Sequence, residues 1–237
     1  MLFYFGMITS KFDSDEEINK EIKQSQNENF SILPEIQEIS FTEKEIGNHL
    51  IWRQKKSFRI ALISIFSALT VVLGYLLAYI PNIELFTLLI FLSGFVMGKH
   101  DGSITGLLSS AIFTFFNPLG ASPLPLFIYQ LIHYSLTGYS GGLTRKYLNQ
   151  KNYFRPREDL YNLRVLILFG LIGGIITFVY DILSTLFGGI IVSFTIEYFM
   201  ISYISGVFFT TAHLIGNILG FSLILPGLIQ IILKILD

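Results

Sequence analysis

Cysteine is absent from the 237 residues, so disulfides, thiolate zinc sites, iron–sulfur clusters and cysteine nucleophiles are excluded, and the sequence carries no mark of a redox compartment. Charge is scarce: Asp, Glu, Lys and Arg make up 14% of the chain, against roughly a quarter in an ordinary soluble domain. Sixteen basic residues against seventeen acidic ones give a formal charge of −1, which supplies no field for wrapping nucleic acid. Neither a phosphate-binding GxxxxGK[ST] nor an HExxH motif occurs, so neither ATP hydrolysis by this chain nor a familiar zinc hydrolase is expected. Internal repeats and paired broken helices, the marks of many complete secondary transporters, are not evident. What is abundant is apolar: 52% of the residues, with a mean hydropathy of +0.61. The expected solvent is a lipid bilayer.

The few charges are unevenly placed. Residues 1–57 hold 7 basic and 10 acidic side chains, whereas residues 58–237 hold 9 and 7. The first stretch is polar, charge-mixed and broken at Pro34, with too little apolar surface to offset the entropy of ordering, so it reads as a soluble tail. Ser14 followed by Glu17 has the form of a capping box, which predicts a short surface helix at about Asp15 to Gln24. The opening patch Leu2–Ile8 has no preceding positive charge, is too short to span a bilayer and is followed by no small-residue cleavage pattern. It is not expected to be a signal peptide.

From Phe58 onward the apolar runs approach the about 17 to 25 residues that a membrane-crossing helix needs. Charge, Pro and Gly divide them into six, at 58–80, 83–99, 102–117, 124–144, 164–188 and about 203–233. The expected fold is an all-α integral membrane protein with a six-helix domain over 58–237. The third run is short, and its Gly102, Gly106, Ser109, Ser110 and Ala111 permit close helix packing. If the six runs cross alternately, twelve Lys and Arg fall on one side: Arg53, Lys55, Lys56, Arg59, Lys99, six in the loop from Arg145 to Arg164, and Lys234. The turn PNIE (81–84), the loop NPLGASP (117–123) and the segment around Glu197 hold none. The positive-inside rule then makes both termini and the basic loop cytoplasmic, and the expected location is the plasma membrane.

Polar residues inside apolar spans are costly unless they face the bundle interior, so the few that occur mark candidate chemistry. Gln130, His133, Tyr134 and Thr137 share a face of the fourth span. The fifth span carries Thr177, Tyr180, Asp181 and Ser184, with Asp181 17 residues beyond Arg164 and hence roughly 25 Å up, in the outer half. On the sixth, His213 and Asn217 are one turn apart. Gln130, Asp181, His213 and Asn217, with the rings of Tyr129, Tyr134 and Tyr180, form a candidate pocket for a small polar molecule, while a purely structural network of interhelical bonds is the alternative. The proline-rich loop FNPLGASPLPLF (116–127), with Asn117 at its head, reads equally as a pocket wall or a rigid turn. On the first span, Ser64 and Ala68 are small residues four apart, with Ala61 one turn before, which lets another helix approach closely.

The first span RIALISIFSAL, the turn FLSGFVMGKHDGSITGLLSS, the loop FNPLGASPLPLFIYQ, and YDIL (180–183) followed by AHLIGN (212–217) together resemble the substrate-binding S component of energy-coupling factor (ECF) vitamin transporters. The resemblance covers about residues 58–233. It implies a non-enzymatic subunit that binds a vitamin or related micronutrient at the outer side and delivers it together with a transmembrane coupling subunit and two ATPases. The family's AxxxA docking contact maps onto Ser64 and Ala68, with Ser in place of the first Ala. Nickel and cobalt relatives begin Met-His, whereas this chain begins MLFYF, so a metal substrate is not expected; nor is a cofactor expected. Two other classes remain: an intramembrane enzyme using Asp181 and His213 as an acid–base pair, which would lack a second carboxylate beside them, and a structural assembly protein.

Overall fold

The computed structural model describes residues 55–80, 84–117, 120–156, 160–190 and 195–236, so the expected tail helix near 15–24 lies outside the described residues. Contacts cluster the chain into a unit that begins at Lys56. Its helices are α1 (Lys56–Leu77), α2 (Phe86–Met97), α3 (Lys99–Phe115), α4 (Leu124–Leu148), α5 (Leu163–Gly189), α6 (Ile196–Ser205), α7 (Val207–Leu219) and α8 (Leu225–Leu236), with α7 and α8 joined by a π-helical segment, Gly220–Ile224. Three described helical stretches are long and apolar enough to cross a membrane: α1, α5 and the continuous run Val207–Leu236. The expected span 83–99 is a helix of only 12 residues, and 102–117 falls in a helix of 17. The helix of 124–144 runs for 25 residues, about 37 Å, but its polar side chains lower its hydropathy. The expected sixth span begins at Val207 instead of 203, because α6 ends at Ser205 as a separate helix.

Helix α2 is apolar all round, and it is accordingly buried all round, with every residue from Phe86 to Val96 inside the bundle. Phe91 and Phe95 stand at the centre of an aromatic cluster, with Phe221 5.2 Å from Phe91, and Phe169 and Phe154 5.8 and 6.0 Å from Phe95 between ring centres. The chain leaves α2 through Gly98 at φ 103°, a conformation that side-chain-bearing residues rarely adopt, and enters α3 at once.

Small residues set the spacing of α2, α3 and α4. A Cβ on Gly94 or Gly102 would run into the Gly138 carbonyl, one on Gly106 into the Tyr134 carbonyl, and one on Gly141 into that of Phe91. At the same contact the hydroxyls of Ser103 and Ser135 each donate to the other residue's carbonyl, at 3.1 and 3.2 Å. The Gly98 end of the bundle is tied by charge: Arg59 Nε donates to the buried Asp101 at 2.8 Å, and Arg145 Nη1 donates to the Val96 carbonyl at 2.6 Å, where α2 has no further amides to offer.

The outer faces are apolar in helical stripes. On α5, Leu163, Ile167, Leu171 and Ile175 are exposed at every fourth residue, and α1 exposes Ile60, Ile65, Leu69, Val72 and Leu76. Contiguous apolar stripes of this length belong against hydrocarbon.

The π segment has a local cause. Pro226 lacks an amide hydrogen, and its ring would crowd the carbonyl four residues back in a regular helix. The turn widens instead: the Leu225 amide donates to the Gly220 carbonyl, five residues back, and the Tyr161 hydroxyl donates to the Leu223 carbonyl at 3.0 Å.

Candidate functional site

Glycines bring α5 onto α7. A Cβ at Gly170 would meet Ser222, one at Gly173 would meet Phe221, and one at Gly174 would press on Ile218. The two helices run antiparallel from this contact, so Asp181, two turns beyond Gly174, meets His213, five residues before Ile218. The result is a hydrogen bond of 2.9 Å between His213 Nδ1 and Asp181 Oδ1. Asp181 and His213, 32 positions apart in the chain, are thus in direct contact.

The other ring nitrogen finds a partner that the sequence reading places elsewhere. His213 Nε2 lies 3.2 Å from Glu84 Oε1, 129 positions away in the chain. Glu84 belongs to PNIE, read from the sequence as a turn without Lys or Arg and not as a candidate site residue. The structure corrects this: Glu84 precedes the buried α2, accepts a bond from the Thr87 hydroxyl, and joins the cluster. An acid next to a helix that is apolar on every side was the available signal, since such a helix has nowhere to lie but the bundle centre. Both ring nitrogens of His213 therefore face carboxylates, and with both carboxylates ionised both contacts are hydrogen bonds when both nitrogens carry protons.

An aromatic wall adjoins this chain of polar groups. The Tyr180 ring lies 6.1 Å from His213, 5.1 Å from His133, 5.6 Å from Tyr134 and 6.2 Å from Tyr129. Gln130 Nε2 donates to the Tyr180 hydroxyl at 2.9 Å, and the Tyr129 hydroxyl lies 3.2 Å from His133 Nδ1. Tyr129 also stacks on Phe187 at 5.0 Å. His133 thus joins the constellation, although packing is the reading its sequence position favours. Asn217 lies against Glu84, one turn along α7 from His213. Asn117 stands after α3, half-buried, its carbonyl accepting from the Gly120 amide at 3.0 Å.

Several polar atoms here are buried without a hydrogen-bond partner: Asp181 Oδ2, Gln130 Oε1, His133 Nε2 and the Thr177 hydroxyl. A buried polar atom left unpaired costs about 1 to 3 kcal/mol, so a purely structural network would leave few such atoms and a binding site has reason to hold them. Those on Asp181, Gln130, His133 and Thr177 are acceptors or acceptor-capable, and their helices are α4 and α5.

Three other features are distinct from this cluster. Residues 138–142, GYSGG, have the spacing of a serine-hydrolase GxSxG elbow, but they lie within α4; Ser140 Oγ donates to the Thr137 carbonyl at 2.7 Å, and Gly138, Gly141 and Gly142 abut neighbouring backbone. The motif therefore serves helix packing, since a nucleophile elbow requires a sharp strand-to-helix turn. An apolar groove of about 530 Å³ between α5 and α7, lined by Leu171, Phe178, Leu214 and Ile218 among others, contains no titratable group. On α1, Ala61, Ser64 and Ala68 are all exposed, and the Ser64 hydroxyl is turned back onto the Ile60 carbonyl at 2.9 Å, which leaves an apolar, low-relief face. No protein-family model, curated protein or solved structure matches the chain.

Proposed function

We propose that the chain is the substrate-specificity subunit of an ECF-type importer, a six-span protein of the plasma membrane with both termini cytoplasmic. In this reading the Glu84–His213–Asp181 cluster lies in the outer half of the bilayer and binds a small vitamin-like molecule. The observation that carries the reading is the set of unpaired buried polar atoms beside the tyrosine wall, within helices whose outer faces are apolar. Burying such groups is unfavourable unless something complements them, and a polar ligand does so. The exposed Ala61–Ser64–Ala68 face supplies the second requirement, a surface on which a coupling subunit's helices can pack closely. Transport energy comes from the partner ATPases, in keeping with the missing nucleotide motif.

The test is affinity purification of the tagged full chain from its native membrane. The reading expects a transmembrane subunit and two ATPases to co-purify, and a small molecule to be released unchanged on denaturation. Purification of the chain alone, under detergent conditions that preserve a known ECF complex in parallel, overturns it.

A second reading has one observation in its favour. Glu84 supplies the second carboxylate that an acid–base pair of Asp181 and His213 would otherwise lack. An intramembrane enzyme releases a chemically altered compound, so the identity of the released molecule separates the two.

A further inference from the structure

We infer that the site selects an organic cation carried on a flat, donor-rich group, in preference to a neutral or anionic molecule of the same shape; this rests on the cluster being a ligand site, as the importer reading holds. The first argument is charge. Glu84 and Asp181 both hydrogen-bond the His213 ring, and one doubly protonated ring balances only one of the two carboxylates. Asp181 Oδ2 is left buried and unpaired, on a side chain only 12% exposed. An uncompensated carboxylate in a low-dielectric interior strongly favours a positive neighbour.

The second argument is the type of cation. Among the described residues no three His, Asp or Glu side chains are arranged to hold a metal ion. The site is instead walled by electron-rich rings, with Tyr180 5.6 to 6.2 Å from His213, Tyr134 and Tyr129 between centroids. Aromatic faces attract ammonium- and amidinium-like groups, most strongly where water is excluded. The third argument is hydrogen-bond sense. Asp181 Oδ2 and Gln130 Oε1 accept only, and each lacks a donor, so the complementary edge of the ligand carries N–H groups.

The test uses three probes of one shape that differ in charge: benzamidinium, benzamide and benzoate. Their binding to the purified full chain in detergent is measured at neutral pH by ligand-observed NMR titration. Benzamidinium is expected to bind at least about tenfold more tightly than benzamide, with benzoate weakest, as expected for a charge-assisted contact. Asp181→Asn is expected to bring benzamidinium to within about threefold of benzamide while leaving benzamide where it was. If that variant does not fold, Glu84→Gln serves the same purpose, and the order of the probes on the unaltered protein is decisive by itself. Benzamide binding as tightly as benzamidinium overturns the inference, because it means that a bound proton already neutralises the second carboxylate. Benzoate binding tightest, or no binding by any probe, overturns it equally. These failures leave co-purification with coupling subunits unaffected, and loss of co-purification leaves the charge preference intact, so the two ideas fail separately.

Discussion

Asp181 gives one carboxylate oxygen to His213 and leaves the other unpaired, which makes it the most informative single position in the chain. Asp181→Asn is expected to weaken ligand binding by about 1.5 to 3 kcal/mol, or roughly ten- to a hundredfold, through loss of a charged hydrogen bond. The exposed Glu197→Gln, at the start of α6, is expected to leave affinity unchanged. Ligand titration and ligand-free melting measured on the same preparations decide the matter, because a purely structural Asp181 predicts a lower melting temperature with affinity unaltered. Asp181, His213 and Asn217 were legible in the sequence because ionisable and amide groups are costly inside apolar helices, and helical spacing put the last two on one face. Glu84 was not. Its place in PNIE reads as a surface turn, and only the three-dimensional course of α2 brings Glu84 to the bundle interior.

At the scale of elements, two kinds of helix face carry separate expectations. Where α4 meets α2 and α3, a Cβ at Gly138 would collide with the Gly102 carbonyl, so Gly138→Leu is expected to lower the melting temperature sharply, since overpacking costs about 1 to 3 kcal/mol or more. Gly188→Ala is the matched control: the nearest atom to its added methyl is Leu126 Cδ2 at 4.0 Å, and melting should stay the same or rise slightly. On α1, no described helix buries the face of Ser64 and Ala68, so Ser64→Leu and Ala68→Leu are expected to leave binding and melting intact while abolishing uptake. Unchanged uptake in both would remove α1 as the docking surface. The small residues of the third run predicted close packing from composition alone, and Gly102 and Gly106 fulfil it. The π-helical widening between α7 and α8 was not legible, because a single Pro226 in an apolar run gives no indication whether the helix will end, kink or widen.

At the scale of the whole molecule, the all-helical architecture and its apolar exterior were legible from run length and hydropathy, which report directly on burial in lipid. The lengths of individual helices were not, since α2 is covered by protein instead of lipid and has no need to match a bilayer. The absence of cysteine makes orientation directly measurable. With Lys151→Cys and Glu197→Cys in intact cells, an impermeant thiol reagent is expected to label the second and spare the first, following the one-sided distribution of Lys and Arg. External labelling at position 151 would invert the topology. The enclosure of α2 has its own consequence for how the molecule comes apart. With every residue from Phe86 to Val96 buried, no partial opening that frees only a peripheral helix gives solvent a path to its amides. In hydrogen–deuterium exchange the α2 amides should therefore be the last to exchange, at a rate set by disassembly of the entire bundle, whereas α6, which buries none of its residues, exchanges first among the helices described.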